Sequence, residues 1–117
     1  MDHRASLGRS GEDATLALYT SRGFRTVARN WRCSLGEIDL ILERRGLLVF
    51  CEVKARSGSR FGGGHDAVTW TKQRKLRQLA EAFMATAGVR HTAVRFDVAS
   101  VHAGPRGNSV ELFEDAF

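Results

Sequence analysis

Residues 36–54 read GEIDLILERRGLLVFCEVK, two apolar runs separated by Arg44-Arg45-Gly46. Runs of Ile, Leu, Val and Phe of this length, broken by a glycine-containing turn, are strands of a hairpin. The spacing predicts strands over 37–43 and 47–54. Four charged residues, Glu37, Asp39, Glu52 and Lys54, stand inside them. Side chains alternate across a strand. Glu37, Asp39 and Ile41 are therefore expected on one face of the first strand, with Ile38, Leu40 and Leu42 on the other. In the second strand Leu48, Phe50, Glu52 and Lys54 share a face, opposite Val49, Cys51 and Val53. A two-residue turn at Arg45-Gly46 sets Ile41 opposite Phe50, Asp39 opposite Glu52 and Glu37 opposite Lys54. An odd loop would shift the pairing by one and split the polar groups between faces. Burial favours the even register.

Opposed residues in a hairpin have Cβ atoms only about 5 Å apart. Two carboxylates at that distance, half-buried among apolar neighbours, repel each other. A divalent cation compensates best, because hard carboxylate oxygens suit Mg²⁺ or Mn²⁺. Two such carboxylates with a lysine beside them suit phosphodiester hydrolysis: metal and lysine both act on the phosphate and the attacking water. The competing reading is a solvated strand face, with Asp39 paired to an arginine, and D-x₁₂-E-x-K is by itself a loose pattern. Glu37, set against Lys54, reads as structural.

The remaining elements frame this hairpin. SGEDATLALYTSR, 10–22, reads as a helix capped by Ser10, with Glu12 and Asp13 in its first turn, an apolar stripe of Ala14, Ala17, Leu18 and Ser21, and Gly23 at its end. FRTVARNWR, 24–32, reads as a strand. The Gly- and Ser-rich stretch 55–66 reads as a flexible loop, as do residues 1–8. The clearest helix is 69–88, where Leu76, Leu79, Ala80 and Phe83 recur at helical spacing and Gly88 closes the run. TAVRFDVASV, 92–101, alternates as a strand, and VELF, 110–113, reads as a short edge strand. The order is αβββαβ with a further β, one mixed α/β domain of 117 residues around a single sheet.

No apolar run approaches the length of a membrane span, and MDHRASLGRSGED lacks the apolar centre of a secretory signal. Cys33 and Cys51 show neither C-x-x-C nor zinc spacing, so two free thiols in a cytoplasmic setting are expected. The net charge is +5. Arginine supplies most of it, which favours a polyanionic partner, chiefly nucleic acid. Arg32, Arg56, Lys72 and Arg74 are candidates for phosphate contact, with Arg29, Arg60, Lys75 and Arg77 in the same basic surroundings. Trp31 and Trp70 are candidates for stacking on bases or for the core. His65 reads as an ordinary loop histidine, and FGGGHDAV lacks the ending of a phosphate-binding loop.

The blocks GEDATLALYTSRGF (11–24), NWRCSLGEIDLI (30–41), VFCEVK (49–54) and RFDV (95–98), in this order and spacing, resemble the YraN-like family of small bacterial proteins. That family is placed in the PD-(D/E)XK nuclease superfamily, with a fold resembling archaeal Holliday-junction resolvases. The resemblance, which runs from about residue 8 to the C-terminus, implies a restriction-endonuclease-like αβββαβ core, a mixed central sheet flanked by helices. It implies a metal-dependent endonuclease acting on DNA, with branched or structured DNA as a substrate. Asp39 and Glu52 would be metal ligands, with the Val53 carbonyl as an extra one and Mg²⁺ or Mn²⁺ as the cofactor. Lys54 would complete the motif, Glu12 would bring a third carboxylate, and Gln73 would stand beside the site. Resolvase relatives act as dimers, so a homodimer is conceivable here. The rival expectation is a module that binds nucleic acid, or a DNA-processing partner, without cutting; an interaction subunit with no nucleic-acid role is the third.

Overall fold

The computed structural model describes residues 3–56 and 69–117, with side chains described for 9–55 and 69–117. The elements run α1 (His3–Ser21), β1 (Arg25–Cys33), β2 (Gly36–Arg44), β3 (Leu47–Arg56), α2 (Trp70–Ala87), β4 (Ala93–Gly104) and β5 (Gly107–Phe113). The five strands form one mixed sheet in sequence order. Every neighbouring pair is antiparallel except β3 and β4, which run parallel and are joined through α2. This is an α/β architecture compatible with the restriction-endonuclease-like core expected from the sequence.

The β2–β3 register is the even one: Ile41 pairs with Phe50 and Arg44 with Leu47. Arg45 and Gly46 form the turn with φ of +49° and +85°, the left-handed pair that a two-residue hairpin requires. Gly46 is also tightly placed, since a Cβ there would stand 2.9 Å from Thr92 Oγ1.

Each face of the sheet carries one core. On the α2 face, Ile38, Ile41, Leu48, Phe50 and Phe96 pack with Leu76, Leu79, Ala80 and Phe83. The helix stripe read from the sequence is thus the buried one. Thr69 caps α2 and Gly88 ends it at φ +65°. On the opposite face Tyr19 and Phe24 pack with Leu40, Leu42, Val49, Cys51 and Ala99.

The first helix departs from expectation. It begins at His3, so Ser10 lies inside it, where its Oγ accepts from Asn108 Nδ2 at 2.6 Å. Its buried residues are Gly11, Thr15 and Tyr19, whereas Ala17 is exposed. The reason is internal satisfaction of polar groups. Thr15 Oγ1 donates to Gly11 O at 2.8 Å, and Tyr19 Oη donates to Asp97 Oδ2 at 2.6 Å. Gly11 lets α1 approach β4, since a Cβ would meet Val101 Cγ1 at 3.3 Å. The third strand also runs further than expected, to Arg56. The rest of the stretch read as a flexible loop lies outside the described residues. Cys33 and Cys51 are free thiols. Among the described residues no helix is long and apolar enough to cross a membrane.

Candidate functional site

The polar cluster sits at the open end of the β2–β3 hairpin. Glu52 continues the face that carries Phe50 into the α2 core, and the residue is only 9% exposed. A carboxylate this buried is costly unless it is paired. Lys72 Nζ lies 2.7 Å from Glu52 Oε1, and Lys54 Nζ lies 3.6 Å from the same oxygen. Lys72 comes from the first turn of α2, where its own N–H donates to Thr69 Oγ1 at 3.2 Å. The cap fixes the turn that delivers the ammonium, and the positive end of the helix dipole lies at the same place. Burial and the neighbouring Lys72 hold Lys54 below the ordinary lysine range, against the pull of Glu52. Lys72 moves the other way: burial lowers it, but the hydrogen bond and charge of Glu52 leave it raised.

Asp39 enters from β2 by a different route. Simple alternation fails there, because Ile38 and Ile41, three residues apart, both face α2. The neighbouring strand is irregular at the same level, though its register is unchanged across it. Asn30 adopts φ +54° and falls between the pairs Arg29–Leu40 and Trp31–Ile38, which sets it beside Asp39. The last β2–β3 pair on this side is Leu40 with Cys51. Beyond it Asp39 Oδ2 accepts the Val53 N–H at 2.8 Å. Burial, followed by the charge of Glu52, pushes the Asp39 carboxyl up to about 7. The Val53 hydrogen bond opposes this, and Glu12 and Glu37 add to it.

Neither the expected opposition of Asp39 and Glu52 nor that of Glu37 and Lys54 is among the strand pairs, which end at Leu40 and Cys51. Glu37 pairs with Arg32 across β1 and β2 instead. Glu12 is close enough for Asp39 to feel its charge, but its Oε1 accepts from Arg29 Nε at 3.1 Å and Asn30 Nδ2 at 3.2 Å. Gln73 is half-buried one residue beyond Lys72. Arg74 is exposed on α2. The side chain of Arg56, with Arg60 and His65, lies outside the described residues. Trp31 packs edge-on against Phe83 in the core, with ring centroids 5.4 Å apart. Trp70 is 71% exposed.

Lys72, read from the sequence as a candidate phosphate contact, instead stands on Glu52. The signal was available: it precedes Leu76 by four residues and Leu79 by seven, on the inward stripe of α2. A concavity of about 710 Å³ lies elsewhere, at the closed end of the hairpin among Arg22, Arg25, Arg44, Arg45 and Glu43. It is remote from the Asp39–Glu52 cluster, where the buried charge is concentrated.

Among the described residues no three His, Cys, Asp or Glu side chains form a metal-holding group. Mg²⁺, however, commonly takes only one or two carboxylates, completed by water and phosphate. Asp39 and Glu52 are two hard oxygen donors whose mutual repulsion is already met by ammonium groups, so the donor set fits such a cation.

Residues 11–101 match the uncharacterised protein family UPF0102. The chain belongs to this family. A UPF0102 protein of Symbiobacterium thermophilum is 45% identical over 112 residues, 95% of each chain. One from Rhodococcus jostii is 41% identical over 118 residues, the full length of both. One from Dictyoglomus turgidum is 37% identical over 113 residues, 95% of this chain and 96% of its own. The UPF0102 match spans the whole site, from Glu12 to Lys72.

Proposed function

We propose that this UPF0102 protein is a PD-(D/E)XK-type, metal-dependent endonuclease that hydrolyses DNA phosphodiester bonds, with branched or structured DNA as its substrate. The observation that carries this reading is the pair Asp39 and Glu52. Two half-buried or buried carboxylates stand at one hairpin end with Lys54 and Lys72 on Glu52. The αβββαβ element order supports it.

Asp39 and Glu52 would hold Mg²⁺ or Mn²⁺, with the Val53 carbonyl as a further oxygen donor. A bound divalent ion supplies a water of lowered pKa and neutralises charge on the phosphate. Asp39 is held in place by the Val53 N–H and Glu52 by its strand, so both carboxylates are set before substrate arrives. Lys54 projects beside Glu52 and meets a phosphate oxygen or orients the attacking water. Glu12, anchored by Arg29 and Asn30, keeps negative charge near Asp39 and so favours a cation there.

The test is incubation with Mn²⁺ or Mg²⁺ on labelled duplex, single-stranded, flap and four-way-junction DNA. Cleavage by the wild type and none by Asp39→Ala or Glu52→Ala is expected, with both variants folded by circular dichroism. Equal cleavage by Glu52→Ala overturns the reading. DNA binding without cleavage of any substrate would favour the alternative, a catalytically silent nucleic-acid-binding module.

A further inference from the structure

Trp70 is the large apolar side chain that the fold leaves most exposed among the described residues: 71%, against 43% for Leu35 and 38% for Val94. It opens α2, two residues before the lysine that contacts Glu52. An indole held in water at the start of α2 contributes nothing to the core. Its neighbours are basic. Arg74, one helical turn on, and Lys75 are exposed and have no ion-pair partner among the described residues. With Thr71 and Gln78 they line a shallow hollow of about 200 Å³ on the solvent face of the helix. Arg77 is spent differently, with its guanidinium 4.8 Å from the Phe96 ring centroid. Lys75 is steadied where its chain passes Gly36, at a point where a Cβ would stand 3.6 Å from its Cε. The helix thus presents an exposed indole and, one turn on, two cations without an ion-pair partner among the described residues. This combination fits a base and its flanking phosphates, because every base offers a face for stacking and the phosphates match the charge.

We propose that Trp70 is a stacking platform for an unpaired nucleobase, with Arg74 and Lys75 holding the adjoining phosphates. The exposed start of α2 therefore takes nucleic acid that carries a single-stranded segment. A base inside a duplex is stacked on both faces and has no face to offer the indole, so intact duplex is the poorer ligand. This inference rests on the nucleic-acid reading above but not on catalysis.

The experiment is equilibrium binding without divalent metal, using a labelled single-stranded oligonucleotide, the matching blunt duplex and a gapped duplex. Trp31→Phe leaves Trp70 as the sole indole, so its emission reports stacking directly. The expected result is quenching by the single-stranded and gapped ligands but not by the duplex. Trp70→Ala should weaken single-strand binding about tenfold, and Trp70→Phe by less. Arg74→Gln with Lys75→Gln should weaken all three ligands and flatten the salt dependence. Equal affinity for all ligands in Trp70→Ala and wild type overturns the proposal. So does Trp70 emission that changes with protein concentration and ignores the oligonucleotide, which would mark a self-association surface. Quenching with no cleavage in any metal leaves the stacking site standing and removes the endonuclease; cleavage unaffected by Trp70→Ala does the reverse.

Discussion

Asp39 Oδ2 accepts the backbone N–H of Val53 at 2.8 Å, one step past the last paired residues of the hairpin, Leu40 and Cys51. A side chain thereby continues the tie between β2 and β3 after the backbone ladder stops. It also fixes a carboxylate among acidic neighbours at a stability cost that depends on pH. In the unfolded chain Asp39 ionises near 3.8, and in the folded chain near 7. Between those values the unfolded state has lost a proton that the folded state retains. Stability contributed at this position therefore falls as pH rises from about 4 to about 7, then stays level. Asp39→Asn, which can still accept from Val53, should be more stable than wild type at pH 8, by on the order of 2–4 kcal/mol, and equal to it near pH 4. Thermal melts across pH check this. A wild type that gains stability over Asp39→Asn between pH 5 and 8 contradicts it.

Lys72 stands on Glu52 where a divalent cation would also stand. Lys72→Met should lower the metal-free melting temperature, since Glu52 loses its closest partner at 2.7 Å. It should also tighten Mn²⁺ binding several-fold, because the ion no longer competes with an ammonium group. Manganese titration followed by electron paramagnetic resonance reads the affinity without any cleavage assay. Weaker Mn²⁺ binding in Lys72→Met would mean that the lysine cooperates with the cation.

Glu12 is held by two hydrogen bonds from β1 residues, whereas Asp39 and Glu52 bear on one another. Glu12→Gln should accordingly reduce cleavage by about tenfold, far less than Glu52→Ala, and leave the substrate preference unchanged. Loss as complete as in Glu52→Ala would place Glu12 among the metal ligands.

The buried Tyr19–Asp97 bond ties α1 to β4. Asp97 also accepts from Arg95 and from the Asp115 N–H. Burial, then the charges of Cys51 and Asp97, hold the tyrosine hydroxyl far above its ordinary range, so it remains a donor at every working pH. Tyr19→Phe should cost about 1–3 kcal/mol, read as a fall in the denaturant midpoint, with no change in the affinity for nucleic acid.

What the sequence revealed and what it hid divide along physical lines. The α2 stripe was legible because Leu76, Leu79, Ala80 and Phe83 bury plain hydrocarbon. The hairpin register was legible because an odd loop would have split the polar groups between the two faces. The inward stripe of α1 was not, since Thr15 and Tyr19 enter the core with their hydroxyls satisfied by partners that hydropathy does not encode. Nor was the release of Glu37 from Lys54 visible. Alternation assumes an unbroken ladder, and here the β2–β3 pairing ends at Leu40 and Cys51. Lys72 was read as a phosphate contact because a lysine on an apolar stripe reads as a surface residue until the carboxylate beneath it is known.

The Arg45–Gly46 turn has a consequence for sequence change. Its two residues act as the phase of the hairpin, at the end remote from the cluster. A single residue inserted there would leave both strands apolar and foldable. Where the two-residue turn re-forms around it, one strand slides by a step and Asp39 parts from Glu52. Substitutions that preserve the turn's length and handedness should be absorbed, whereas a one-residue insertion should silence the cluster in a protein that still folds. The spacing of Asp39 and Glu52 along the chain is thus as much a part of the site as their chemistry.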